Sequence, residues 1–429
     1  MNFPSTVEEV LKEIDKLKLD FIPNQNVPEI DCIVPMPPQV RSDLYNMSYR
    51  ALKNTLEYCI DKLAIKFKLI IISGGKYHSY IQVVPKHSPK EYLRFLKKLN
   101  PGLKWPKTFT YKGQKFYVDK NIYKKQNLRF MNCIVSEAEP MTEEDLFYIK
   151  RLKVVSERYP LPDGIYLLTT TDLLVLRKDG KEPWVDVVGG EKNLFSHKYK
   201  EFIPIFNGNS GVKYLDIPLP NFEDLQFIWK KEMQVSFSES KILWDSKINK
   251  AVFRGSASGC GFSTKTNPRL KAVIISRKYP SLLDAQITAM KEKLKIDEKE
   301  GVGYTDLKKI GISFGQRMNE KEQSQYKYIL NLDGNVAAHR MAKWFLLNSV
   351  MLLQESGSRV WFQHMLKPYV HYVPVKKDLS DLIEKIQWCR DNDDECRIIA
   401  NNAYKLGKQL LTEETCFSYI AKAFWASRF

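Results

Sequence analysis

Apolar residues along this chain come in short runs, and the spacing of the runs changes between that of strands and that of helices. The N-terminal 20 residues read as a charged amphipathic helix, followed by the proline cluster Val34-Pro35-Met36-Pro37-Pro38. The pattern predicts a helix over about 41–66 and a strand over 68–73 that closes on Gly74-Gly75. A helix over about 141–158 leads to a strand over 164–171, ending at Asp172. A short strand over 203–206 closes on Asn207-Gly208-Asn209-Ser210-Gly211, and the two prolines of 215–225 mark a crossing stretch.

From about residue 240 the alternation tightens. A strand over 251–254 leads into a Gly/Ser loop over 255–266, and a helix starts at Asn267-Pro268, with proline suited to the first helical position. Strand 328–333, helix 336–347, strand 349–354 and strand 371–375 follow. Helix 379–390 places Leu379, Leu382, Ile383, Ile386 and Cys389 at helical spacing, with Asp378 as its expected N-cap. Helices over 393–410 and 412–427 finish the chain. Strands alternating with helices imply an α/β fold built on parallel sheets.

At 429 residues the chain is too long for one ordinary core. The pattern divides it into an N-terminal extension (1–40), a first α/β domain (41–240) with a basic, aromatic-rich insertion at 86–129, a second Rossmann-like domain (241–405) and a C-terminal helix (406–429). The net charge of +17 attracts polyanions: nucleic acid, an acidic membrane surface or phosphorylated small molecules. The insertion interleaves lysines and arginines with aromatics. It reads either as a solvated face with core aromatics or as a nucleic-acid surface, and it carries no known nucleic-acid motif. The seven cysteines are scattered without a C-x-x-C pair, which fits reduced thiols. No apolar run has the length of a signal peptide or a membrane span, so a cytoplasmic location is expected.

Candidate chemistry centres on the junction Asp333-Gly334-Asn335, where an apolar strand runs into a predicted helix. Parallel α/β sheets bind ligands beyond the carboxyl ends of their strands. Arg340, two turns into the predicted helix, leans toward its N-terminus and can join the free N–H groups around one anion, a diphosphate being the obvious candidate. The loop 255–266 is not a P-loop, because Thr264 rather than glycine precedes Lys265. It suits a smaller phosphate cradle, with Ser256 and the main chain joined by Arg269. The six histidines form no His-x-x-x-His pair, and Asp391-Asn392-Asp393 falls where helix caps are expected. No metal site is therefore expected, and neutralising a diphosphate falls to arginines and helix dipoles. Asp172, at a strand's carboxyl end, reads as a polar loop residue or as a general base facing a cleft.

Together these motifs resemble glycosyltransferase family 90, the family of capsule-associated proteins, lipopolysaccharide-modifying transferases and protein O-glucosyltransferases. The resemblance rests on five segments in order: 162–172, 203–225, 249–278 with its Phe-Arg-Gly-Ser strand end, the strand and mid-helix Arg of 326–354, and 366–382. It implies a GT-B-type fold with two Rossmann-like domains facing a cleft and C-terminal helices packing back across them. It also implies transfer of glucose or xylose from a UDP-sugar to a hydroxyl of a glycan or protein, with inversion and without a metal or further cofactor. Carried over, Arg269 and Arg340 hold the diphosphate, with Arg254, Gly255, Ser256, Asp333, Gly334 and Asn335 in the same pocket, and Asp172 is the base. The chain departs from the family after that base, where Leu173-Leu174 follow, so Asp179 is a second candidate. It departs again at Val360-Trp361-Phe362, where relatives carry a Glu. The competing reading is an inactive GT-B-like protein that binds nucleic acid or another polyanion through 86–129. The transferase reading makes nucleic acid an unlooked-for partner and leaves the patch for peripheral contact with an acidic membrane. Without the leader and disulfides of animal relatives, a viral or microbial enzyme fits the resemblance best.

Overall fold

The computed structural model describes residues 3–19, 21, 25–41, 43–63, 65–85, 108–111, 114–117, 129–130, 143–169, 174–181, 183, 197–259, 261–290, 293–297 and 301–428. Most of the 86–129 insertion, and Asp172 itself, lie outside these residues. The protein is α/β, and two five-stranded sheets organise it.

The first sheet contains β1 (Phe67–Ser73), β2 (Lys76–Val83), β3 (Gly164–Thr169), β4 (Ile205–Asn207) and β5 (Ile217–Pro218), in the order β2-β1-β3-β4-β5. Its strands β3, β4 and β5 run parallel, but β1 is antiparallel to both of its neighbours. This corrects the expectation of parallel sheets throughout. Gly74 and Gly75 both adopt positive φ (62° and 75°), a conformation that glycine tolerates and that turns β1 straight back into β2. A connection that short can only join antiparallel strands.

The second sheet contains β6 (Ile248–Ser256), β7 (Leu283–Ala289), β8 (Tyr326–Asn331), β9 (Val350–Gln354) and β10 (Val373–Val375), in the order β7-β6-β8-β9-β10. Every pair is parallel. The interior strands are continuous apolar runs because helices cover both faces. In this doubly wound order the winding reverses between β6 and β8, and ligands bind at the carboxyl side of that switch point.

The helices used below are α1 (Phe222–Trp229), α2 (Pro268–Lys278), α3 (Met341–Phe345), α4 (Leu382–Asp391), α5 (Asp393–Leu410) and α6 (Glu413–Ala426). Two apolar cores form: one holds the first sheet and one face of the second (Val252, Ile329, Met351 and Leu353), and the other lies on the opposite face of the second sheet. Helix α5 passes from one to the other, with Cys396, Ile399 and Ala400 in the second core and Ala403, Leu406 and Leu410 in the first. Helix α6 packs on the first sheet, where Phe424 stacks on Phe206 with ring centroids 4.4 Å apart and Tyr419 Oη donates to the Pro218 carbonyl at 3.0 Å. Among the described residues no helix is long and apolar enough to cross a membrane.

Two local expectations are corrected. The helix predicted over 336–347 is only the five-residue α3, and Arg340 stands at its N-cap rather than two turns inside. Residues 336–340 are turns and bends instead, held by contacts with the first half of the chain. Helix α4 has Asp381 at its N-cap, while the Asp378 carboxylate accepts from Ser380 N at 3.0 Å in the turn before it. The carboxylates of Asp391-Asn392-Asp393 serve packing. Gln387 donates to Asp391, whereas Asp393 accepts from Trp244 Nε1 and from Lys327 Nζ at the amino end of β8, the end away from the switch point.

Candidate active site

A cavity of about 580 Å³ lies across the carboxyl ends of the second sheet, a size suited to a small-molecule ligand. Lys265, Thr266, Pro268 and Lys271 reach it from the β6–α2 connection, and Asp333 to Val336 from the end of β8. Gln354 ends β9 and Ser356 to Ser358 follow it, and Lys377 and Asp378 follow β10. Leu174 and Gly211 to Tyr214 close it from the first half of the chain.

The closing wall is tied down at several points. Ser210–Gly211 pairs antiparallel with Ser358–Arg359, and Val212 N donates to the Gly357 carbonyl at 3.0 Å. Leu174, Tyr214 and Val336 form a small buried apolar cluster that joins the two halves. A Cβ on Gly211 would come within 3.1 Å of both Leu174 and Tyr214, so a larger residue there would have to push these two side chains aside. Behind it, Glu223 of α1 pairs with Lys343 of α3 at 2.6 Å, and Asn209 lies 2.5 Å from the His339 ring.

The second-sheet wall is one hydrogen-bonded arc. Lys271 Nζ donates to the Asp378 carbonyl, and Gln354 Nε2 donates to the Lys377 carbonyl at 2.6 Å. Asp333 N donates to Gln354 Oε1 at 3.2 Å, and the Ser356 hydroxyl donates to the Asp333 carboxylate. Asp333 is 8% exposed. Burial raises its pKa against the opposing pull of its serine hydrogen bonds and the Arg269 charge.

The loop after β6 is compact. Gly259 and Gly261 take positive φ (97° and 77°), and the Asn267 side chain caps α2 while donating to the Ser258 carbonyl at 3.1 Å. Arg269, in the first turn of α2, draws this loop to the end of β8. Its Nη1 donates to the Ser256 carbonyl (3.1 Å) and the Ser258 hydroxyl (2.7 Å), its Nε to the Asp333 carbonyl (2.9 Å) and its Nη2 to the Leu332 carbonyl (2.9 Å). A Cβ on Gly334 would meet Arg269 at 3.3 Å, so glycine lets the strand end lie against the guanidinium. Ser256, Arg269, Asp333, Gly334 and Asn335 are thus brought together, with Asp333, Gly334 and Asn335 in the cavity wall and Arg269 and Ser256 behind it.

The other expected residues are placed differently. Arg254 turns to the neighbouring strand, where Nη2 pairs with Asp284 at 2.7 Å. Gly255 packs against the Phe253 ring, which a Cβ would meet at 2.8 Å. Arg340 sits over the Trp344 ring at 3.8 Å and donates from Nη1 to the Arg254 carbonyl at 2.9 Å, while Nε and Nη2 are buried without a hydrogen-bond partner among the described residues. Burial and the neighbouring Arg269 charge pull its pKa down to about 9, opposed by Glu223, which leaves it cationic at neutral pH. Asp172 lies outside the described residues, between Thr169 at the end of β3 and Leu174 of the cavity wall. Asp179 pairs with Arg177 at 2.7 Å, and that bond lowers its pKa, which makes it a weak base. Val360, Trp361 and Phe362 are buried, with Trp361 Nε1 donating to Asp224 at 2.9 Å, so this departure from the family serves core packing.

Sequence reasoning missed the cationic lining itself: Lys213, Lys265, Lys271 and Lys377. It also missed Gln354 and Ser356. The rule that ligands sit at strand carboxyl ends, applied to β9 and β10 as it was to β8, identifies Ser356 and Lys377 at once.

Residues 185–426 match the profile of Glycosyl transferase family 90, and the chain belongs to that family. The matched stretch contains the whole second sheet and most of the cavity wall. An uncharacterized protein of Invertebrate iridescent virus 3 is 29% identical over 87% of this chain and 36% of its own length. A second, from Invertebrate iridescent virus 6, is 29% identical over 88% of this chain and 37% of its own. Protein O-glucosyltransferase 3 of Homo sapiens is 34% identical over 51% of this chain and 40% of its own length. The chain therefore spans little more than a third of the length of the viral relatives it matches.

Proposed function

We propose that this chain is an inverting, GT-B-type glycosyltransferase that moves a sugar, glucose or xylose, from a UDP-sugar to a hydroxyl of a glycan or protein. The observation that carries the reading is the lysine-lined cavity at the switch point of a doubly wound parallel sheet, closed from the first half of the chain. A nucleotide sugar is a small dianion with a ring at either end, which suits a concave site with several cations along one wall. The same strand order in the two sheets supports the GT-B arrangement. Family membership and the similarity to a protein O-glucosyltransferase support the chemistry.

In this reading the diphosphate lies against Lys265, Lys271 and Lys377 and the main chain of Gly334 and Asn335. Arg269 and Ser256 hold that main chain in place, and Arg340 adds positive potential from behind. Asp172 takes the proton of the acceptor hydroxyl, and the oxygen attacks the anomeric carbon from the face opposite the diphosphate. The bond from that carbon to the phosphate oxygen breaks, and UDP leaves with the electron pair, its new charge held by the lysines. A positioned base typically contributes ~10²–10⁴-fold, and one preorganised charge-stabilising donor ~10²–10³-fold. Nothing beyond the donor substrate is needed as a cofactor, and a cytoplasmic setting fits.

The test is UDP release from UDP-glucose, UDP-xylose, UDP-galactose and UDP-N-acetylglucosamine without acceptor. One of them is expected to be hydrolysed slowly, with Asp172→Asn reducing release at least ~100-fold while UDP affinity is unchanged. Equal release by that variant removes Asp172 from its role. No release from any donor, with no UDP binding, overturns the reading.

A further inference from the structure

The Asp333 carboxylate is chemically out of place in its cavity. Four lysines share the wall with it, and the other lining carboxylate, Asp378, is exposed and held in its own turn by Ser380 N. Asp333 is buried, and its side-chain partners are neutral: the hydroxyls of Ser356 and Ser358 and the main chain of Ala338. A phosphate does not settle against a buried carboxylate, because like charges repel strongly where water is excluded. Hydroxyls do, since an ionised carboxylate is an acceptor with about four lone-pair sites.

The arc of hydrogen bonds gives the wall two poles. Lys271 and the Lys377-Asp378 turn are joined at one end, and Gln354 carries the arc to Asp333 and Ser356 at the other. A nucleotide sugar has a matching polarity, a diphosphate flanked on each side by a ring with neighbouring hydroxyls. Resting on the UDP-sugar reading above, we infer that Asp333 is the diol-recognising residue of the donor pocket, its carboxylate, already taken up by Ser356, Ser358 and the Ala338 main chain, using its remaining acceptor site for one hydroxyl of a vicinal pair on the bound donor. Asp333 thereby sets which way the donor lies, with a ring at the Asp333 pole and the phosphates at the Lys271–Lys377 pole. The diol belongs either to the ribose or to the transferred sugar.

A hydrogen bond to a charged group corresponds to ~10–100-fold in affinity. Calorimetry on the wild type and Asp333→Asn, with UDP, 2′-deoxy-UDP, 3′-deoxy-UDP and UDP-glucose, separates the cases. Asparagine retains an acceptor for the serine hydroxyls but loses the charge. If the ribose is read, the wild type prefers UDP to at least one of its deoxy analogues ~10–100-fold, and Asp333→Asn brings that ratio to threefold or less. If the sugar is read, the deoxy analogues bind as UDP does, and the substitution removes only the extra affinity of UDP-glucose over UDP. Ratios that the substitution leaves unchanged overturn the inference. Should the variant not fold, the wild-type ratios alone decide, because a protein indifferent to the hydroxyls of both rings has no diol-reading residue. A wild type that binds no UDP at all overturns the underlying reading instead, and this inference with it.

Discussion

Arg269 and Asp333 are joined through the main chain across the switch point. The guanidinium Nε donates to the Asp333 carbonyl at 2.9 Å, and its Nη2 to the carbonyl of Leu332 at the same distance. With two further bonds to Ser256 and Ser258, one side chain fixes the ends of β6 and β8 relative to each other. The cavity floor therefore depends on a residue that does not line it.

Arg269→Ala leaves several buried carbonyls without a donor and is expected to cost at least about 3 kcal/mol of stability. Arg269→Lys should not restore it, because an ammonium cannot reproduce the planar fork that spans two strand ends. Thermal melts check both. A lysine variant as stable as the wild type would contradict this role.

Arg340 poses the opposite case. Two of its buried guanidinium nitrogens have no partner among the described residues, an arrangement that costs stability and persists where it serves something else. Arg340→Met is expected to leave stability within about 1 kcal/mol of the wild type or to raise it, since apolar replacement of poorly satisfied buried charge is often neutral or stabilising. Donor turnover should nevertheless fall at least ~10-fold. A variant that melts early and keeps its turnover would make Arg340 a packing residue.

Burial raises Asp216 to about 6 and Asp224 to about 7, against the ordinary value of 3.8. Their contribution to stability is complete below their unfolded pKa and is lost as pH rises through about 6 and 7. Burial lowers Lys247 to about 7 from 10.5. Its contribution is complete above its unfolded pKa and is lost as pH falls through about 7. The two trends meet, so the combined contribution of Asp216, Asp224 and Lys247 is smallest near neutrality. A pKa difference of one corresponds to ~1.4 kcal/mol. Asp224→Asn, which keeps an acceptor for Trp361 Nε1, should flatten the acid limb. Denaturant titrations between pH 4 and 10 check it, and an unchanged acid limb would contradict the assignment.

The strand ends were legible in the sequence, because buried parallel strands read as apolar runs closed by polar or glycine residues. Ser256, Asp333, Gly334 and Asn335 were found that way. The segment 336–347 was not, although its composition favours a helix. Val336 is drawn into the cluster with Leu174 and Tyr214, and the His339 carbonyl accepts from Asn221 at 3.3 Å. These contacts with a distant part of the chain override local propensity. Strand β7 is an edge strand whose buried Leu283, Ala285 and Ile287 alternate with polar neighbours, a weaker signal than the central runs. The lysines of the wall gave no local signal, because Lys213 of the first half, Lys265 and Lys271 after β6 and Lys377 after β10 meet only once both halves are in place.

Those lysines also permit the most direct test. Lys377 is exposed and Lys271 half-buried, so replacing both with alanine should hardly affect folding. Calorimetric titration of UDP into the wild type and the Lys271→Ala/Lys377→Ala variant, each at low and at moderate salt, measures the central claim. The wild type is expected to bind UDP and the variant to lose ~100-fold or more in affinity, with a shallower salt dependence. Equal UDP affinity in the two proteins would contradict it.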